Sequence, residues 1–238
     1  MSRSVVIGLL AGVVAAVMGC VDIGSSAPPV PPMPTGSVTD VEGNVYPTIV
    51  IGKQEWMVLN LKTTTYNDGT PIPNVTDAAT WANLDLSGAY AWYDNDAVAN
   101  EALYGALYNW YAVDTGKLCP TGWTMPSTDD WSALTDTLGG GGVAGGPMKE
   151  PGTVHWQAPN AGATNLSGFS ALPAGMRNVA GSFDQMGQVT LWWTSDEKLI
   201  SLPRTAYFQD ASYMNTATIS AESPLTAGYS VRCFRAAP

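Results

Sequence analysis

Gly228-Tyr229-Ser230-Val231-Arg232-Cys233, close to the C-terminus, is the stretch whose reading decides the fold. Tyr229, Val231 and Cys233 alternate with Ser230, Arg232 and Phe234. A period of two is that of a β-strand, and it predicts a strand over 228–235 with the tyrosine, valine and cysteine on its buried face. A cysteine on an inward face needs a partner or a reason to be reduced. The chain holds only two others, Cys20 and Cys119.

The three cysteines divide into one and two. Cys20 ends a segment that opens Met1-Ser2-Arg3-Ser4 and runs from Val5 to Val17 through apolar residues and glycine alone. One positive charge followed by a short apolar run has the build of a secretion signal. A membrane-spanning helix needs about 20 apolar residues, more than this run offers. Val17-Met18-Gly19-Cys20 resembles the bacterial lipoprotein box, in which cleavage leaves a cysteine that carries lipid on its sulfur. The reading is a signal peptide over 1–19, lipidation at Cys20 and a membrane held through the acyl chains. An ordinary signal with an incidental cysteine, or an uncleaved anchor helix, is the alternative. Residues 20–37 include Ala27-Pro28-Pro29-Val30-Pro31-Pro32-Met33-Pro34, whose proline density predicts an extended tether before a domain over 38–238.

Cys119 and Cys233 then lie in an exported domain, where two cysteines most simply form a disulfide. The competing reading, a nucleophilic or metal-binding thiol, lacks companions. The chain has one histidine, His155, and a single imidazole beside two distant cysteines is a poor metal set. No resident metal and no cofactor are expected.

Composition narrows the class further. The net charge is −10, from 20 acidic and 10 basic residues with no basic run, which argues against nucleic acid. Only 13% of residues are charged, against 9 Trp, 10 Tyr and 25 Gly, the profile of a turn-rich extracellular fold rather than a disordered acidic chain. The glycine-rich run 139–146 reads as a flexible loop. It lacks the lysine and hydroxyl residue that a phosphate cradle requires.

Local signals place the elements. Thr48-Ile49-Val50-Ile51 and Glu55-Trp56-Met57-Val58 flank Gly52-Lys53-Gln54 as a hairpin. Asp77 to Leu84 predicts a short helix with Ala78, Trp81 and Ala82 on one side. A clearer helix starts at Ser127, with Asp130 in its first turn, Trp131, Leu134 and Leu138 at i, i+3 and i+7, and Gly139-Gly140 as its stop. Strands are predicted at 190–194, 205–208 and 216–219. Tyr104 to Val113 is apolar without a period, and helix and strand both remain open. The sum is one α+β domain with few helices, short irregular strands and long loops.

At this point the local words acquire a family likeness. Ile51-Gly52-Lys53-Gln54-Glu55-Trp56-Met57, Asn60-Leu61-Lys62-Thr63, Tyr104-Gly105-Ala106-Leu107-Tyr108-Asn109-Trp110-Tyr111 and Cys119-Pro120-Thr121-Gly122-Trp123 stand in order. Gly168-Phe169-Ser170-Ala171-Leu172-Pro173, Trp192-Trp193-Thr194-Ser195 and Gly228 to Cys233 follow. Together they resemble the Fibrobacter succinogenes major paralogous domain over about residues 38–235. Thr124, Met125 and Asp196 depart from its usual residues. The resemblance implies an exported lipoprotein of the outer membrane, exposed on the surface. It also implies a C-type lectin-like fold, shared distantly with the formylglycine-generating enzyme group. It carries no settled activity.

The residues leave three function classes open. A binding or adhesion module comes first, its partner a polysaccharide or another surface protein. Tyr90, Trp92 and Tyr93 would stack on sugar rings while Asp94, Asn95 and Asp96 bond hydroxyls; the bland reading makes these rings core. Asp94 and Asp96 would also suit calcium, but Asp-Asn-Asp is common turn chemistry and the lectin Glu-Pro-Asn and Gln-Pro-Asp signatures are absent. A structural envelope component is the second class. The third is an enzyme, and no catalytic residues are expected: Gly-x-Ser-x-Gly is absent and Ser-His-Asp chemistry would rest on His155 alone. Asp129 and Asp130 are adjacent on a helix and point apart. Oxidase chemistry like that of the formylglycine-generating group would need reactive thiols, and both belong to the expected bridge.

Overall fold

The computed structural model describes residues 30–197, 203–209, 217–220 and 224–238. The expected signal peptide, Cys20 and the first part of the tether lie outside the described residues. Three antiparallel strands open the domain: β1 (Gly36–Thr39), β2 (Val45–Ile51) and β3 (Gln54–Met57). Ile51 pairs with Gln54 across the two-residue turn Gly52-Lys53, and Gly52 stands at φ +61, where a side chain is strained. The last strand, β11 (Phe234–Ala236), pairs with β3 and completes a sheet of order β1-β2-β3-β11. The folded part begins before the expected boundary at residue 38. Thr35 already donates its N–H to the carbonyl of Thr48 at 2.7 Å, because past Pro34 the backbone regains the donors that a ladder needs.

The turn after β1 is tied down by acids. Asp40 Oδ1 accepts from the N–H groups of Glu42 and Asn44, and Asp40 Oδ2 accepts from the Tyr46 hydroxyl at 2.8 Å. Glu42 reaches over to residues 63–65, accepting from the hydroxyls of Thr63, Thr64 and Thr65 and from the Thr64 N–H.

Helices are few and short. Asp77 caps α1 (Ala78–Ala82) by accepting from the Thr80 N–H at 2.8 Å, and Trp81 is buried. The undecided stretch 104–113 turns out to hold both kinds of element. It contains the end of α2 (Ala97–Tyr104), then β5 (Leu107–Tyr108) paired with β4 (Tyr90–Ala91), then α3 (Trp110–Asp114). Gly105 at φ +73 stops one helix and Asn109 caps the next, so no single period could run through it. The Ser127 helix is α4 (Thr128–Thr137), with Ser127 and Asp130 forming a reciprocal capping box. The glycine-rich run is not a loose loop throughout. Its second half enters α5 (Gly145–Met148), and Ala144, Gly145 and Gly146 are buried, since residues this small let the backbone lie directly on the core.

A hairpin β6 (Met176–Arg177) and β7 (Phe183–Asp184) precedes β8 (Val189–Glu197), which with β9 (Pro203–Gln209) and β10 (Ala217–Ser220) forms an antiparallel sheet of order β10-β9-β8. The two larger sheets are joined by the stretch predicted as one long strand. Gly228 bridges to Arg177, Tyr229 to Tyr108, Ser230 to Trp192 and Phe234 to Thr124. It is a spine threaded through the molecule, and regular strand begins only at Phe234. Both of its faces are buried, so Ser230 and Arg232, expected on the outer face, lie inside with Tyr229, Val231 and Cys233.

Arg232 shows how the second face is filled. It is 1% exposed and lies 4.3 Å from the Phe169 ring centre and 5.2 Å from that of Trp192. Its Nε and Nη2 donate to Asn60 Oδ1 at 3.1 and 2.8 Å, and Nη1 donates to the Phe169 carbonyl. Asn60 Oδ1 also accepts from Trp192 Nε1. Around this network sits one aromatic cluster that includes Trp56, Trp131, Trp192 and Phe234. A second, larger one includes Tyr46, Tyr108, Trp110 and Trp193.

Candidate functional site

The residues read as a sugar platform do not form one. Tyr90 and Trp92 are 7% and 6% exposed, packed edge to face at 5.3 Å within the larger core cluster. This corrects the expected aromatic patch. β4 carries Tyr90 inward to pair opposite Tyr108, and the chain turns outward only at Tyr93. Tyr93 is half-buried, its ring 5.3 Å from that of Phe183, and its phenol is raised above the usual value by burial in spite of a hydrogen bond from the Met186 N–H. Asp96 Oδ1 accepts from the Ala99 N–H as the cap of α2. Asp94 is exposed, at φ 52. Of the five predicted contact residues, three therefore serve packing or capping, and Tyr93 is tied to the β7 side. All nine tryptophans are buried, so none offers an open face.

Cys119 and Cys233 are joined, with Cα atoms 5.8 Å apart. The bond fastens the loop after α3 to the spine, and a cleft of about 160 Å³ opens beside it. Its apolar wall is Trp110, Val113, Met125 and the disulfide at Cys119; its polar members are Asp114, Thr124 and Ser195. Each is placed by backbone pairing. Trp110 opens α3 and packs on Trp193 with ring centres 5.5 Å apart. Gly116, at φ +66, donates to the Val113 carbonyl and turns the chain back towards Cys119. Thr124 exchanges two backbone hydrogen bonds with Phe234, and the Ser195 N–H donates to the Pro126 carbonyl at 2.9 Å.

Chemically, the cleft has hydroxyls and a carboxylate against an apolar floor. His155 is not among its lining residues; its Nδ1 lies 2.7 Å from Glu150 Oε2 in the loop after α5. The volume is below the roughly 300–1,000 Å³ of drug-sized ligand pockets, so it suits one small group rather than a chain of sugars. No pattern in the sequence marked this site. Its residues come from α3, from the segment after Cys119 and from β8, and the one local hint was that Trp110 and Thr124 flank Cys119. Among the described residues no group of three or more metal-ligating side chains converges, and no helix is long and apolar enough to cross a membrane.

A mixed α and β domain with few helices, short antiparallel strands and a disulfide from middle to end defines the class of protein. The model of the Fibrobacter succinogenes major domain family matches residues 49–235, and the chain belongs to that family. The match runs from within β2 to within β11 and takes in both cysteines and every residue that lines the cleft. No curated protein and no solved structure matches the chain.

Proposed function

We propose that this chain is an exported lipoprotein of the cell envelope, anchored through Cys20, whose C-type lectin-like domain binds another surface protein without catalysis. The observation that carries the binding role is the cleft beside the disulfide. It is a shaped recess with an apolar floor and a polar rim, held on paired backbone from three separate parts of the chain. Fixed supports of this kind favour recognition of one small group. Its two hydroxyls, Thr124 and Ser195, have no imidazole beside them in the lining, which supports binding over nucleophilic chemistry. Of the two partner classes, polysaccharide loses its main support with every tryptophan buried. A protein partner needs no open aromatic platform.

Two experiments test the parts separately. Palmitate should label the wild type and not Cys20→Ala; equal labelling would end the anchor reading. Crosslinking on intact cells should capture a surface protein with the wild type and lose it with Thr124→Trp, which crowds the rim from an exposed position. Undiminished capture by a variant with an unchanged near-ultraviolet spectrum would refute the cleft as the seat. Retention of the wild type on insoluble polysaccharide would restore the sugar reading. A purely structural envelope role is the second reading, favoured by the commitment of all nine tryptophans to the interior. It predicts weakened envelope integrity on deletion, with the Thr124→Trp strain indistinguishable from wild type.

A further inference from the structure

The cleft beside the disulfide has one charged lining residue, Asp114. Asp114 ends α3 and is exposed, and it makes no ion pair among the described residues. The nearest cation along the chain, Lys117, is turned away to Asp68 at 2.7 Å. The chain carries a net charge of −10, so nothing in its overall balance offsets this carboxylate. A lone negative group at the rim of the recess favours a cation over a neutral or anionic guest.

Size and donors narrow the guest. At about 160 Å³ the cleft takes one small group. The methylene stem of an alkylammonium group would lie on Val113 and Met125, beside Trp110. An ammonium has three N–H donors and no acceptor. The rim supplies three oxygen-bearing side chains, Asp114, Thr124 and Ser195. The Thr124 hydroxyl donates to the Met125 carbonyl and so has lone pairs left to accept.

We infer that the cleft seats a primary alkylammonium group, such as a lysine side chain presented by a protein partner. This rests on the proposal that the cleft is the binding seat and adds the chemistry it selects.

The test is a titration of the purified exported chain with n-butylammonium and, as its neutral counterpart, n-butanol, followed by the indole N–H signals of ¹⁵N-tryptophan. The Trp110 signal is identified by its loss in Trp110→Phe. The expected result is a saturable shift with n-butylammonium, at least tenfold weaker binding of n-butanol, and loss of that preference in Asp114→Asn. A blocked lysine peptide that binds like n-butylammonium identifies proteins as the source. A peptide that fails while n-butylammonium binds identifies free amines, with the same chemistry. Equal binding of n-butylammonium and n-butanol, or an unchanged preference in Asp114→Asn, overturns the inference but leaves the cleft as a seat. No shift with either probe overturns both.

Discussion

Arg232 is a cation folded into the core with carbonyl-type oxygens as its hydrogen-bond acceptors and two aromatic faces against it. Burial pushes its guanidinium down to about 9, which still leaves it charged at neutral pH. Arg232→Ala would leave the Phe169 carbonyl without its side-chain donor, take two of the three donors from Asn60 Oδ1 and open a cavity. The expected loss is about 3–5 kcal/mol, read from urea unfolding. Arg177 is held similarly, between Trp81 at 4.3 Å and Phe183 at 4.7 Å, donating to the carbonyls of Val75, Thr76 and Gly181. Neither role was legible in the sequence, where an arginine among alternating residues reads as a solvated face. Glu42 supplies a pH dependence. Partial burial alone would raise its carboxyl, but the hydrogen bonds from residues 63–65 outweigh this and hold it below 4.5. A carboxyl depressed on folding stabilises above its unfolded value, and the contribution fades as pH falls through the folded one. The stability gap between wild type and Glu42→Gln should therefore be widest above pH 4.5 and shrink on acidification, as paired unfolding curves across pH 2–7 would reveal.

At the scale of elements, α4 depends on its cap. Ser127 Oγ accepts from the Asp130 N–H at 3.1 Å while Asp130 Oδ2 accepts from the Ser127 N–H at 2.8 Å. Ser127→Ala should cost about 1 kcal/mol, measured as a fall in the denaturant midpoint with unchanged slope. This helix and the β2–β3 hairpin were legible because their signals lie within a few residues: a cap, a 3.6-residue period, a glycine at positive φ. Elements defined by distant partners were not. The spine was read as a strand with a single buried face, but its neighbours are Arg177, Tyr108 and Trp192 in turn, and such burial leaves no alternation to read. Tyr90 and Trp92 were open to two readings, since an aromatic beside an aspartate looks alike whether the strand turns in or out. The cleft was invisible for a related reason. Ser195 reaches it through β8, about seventy residues along the chain from Thr124, and only the folded topology brings them to one recess.

For the molecule as a whole, the disulfide spans a sequence separation of 114 residues. Loop-closure entropy makes such a bond worth about 4–5 kcal/mol, and a chain carrying both Cys119→Ala and Cys233→Ala should lose at least about 4 kcal/mol in urea unfolding. Cys233 is fully buried and Cys119 nearly so, which adds a packing loss to the entropic one. The same bond has a mechanical consequence. Drawn out from its ends, this chain would yield the residues before Cys119 and the few after Cys233, and nothing between. The withheld contour is roughly 380–410 Å, from 114 residues at about 3.3–3.6 Å each. Under tension the molecule is a short leash, and reducing that single bond would let it out.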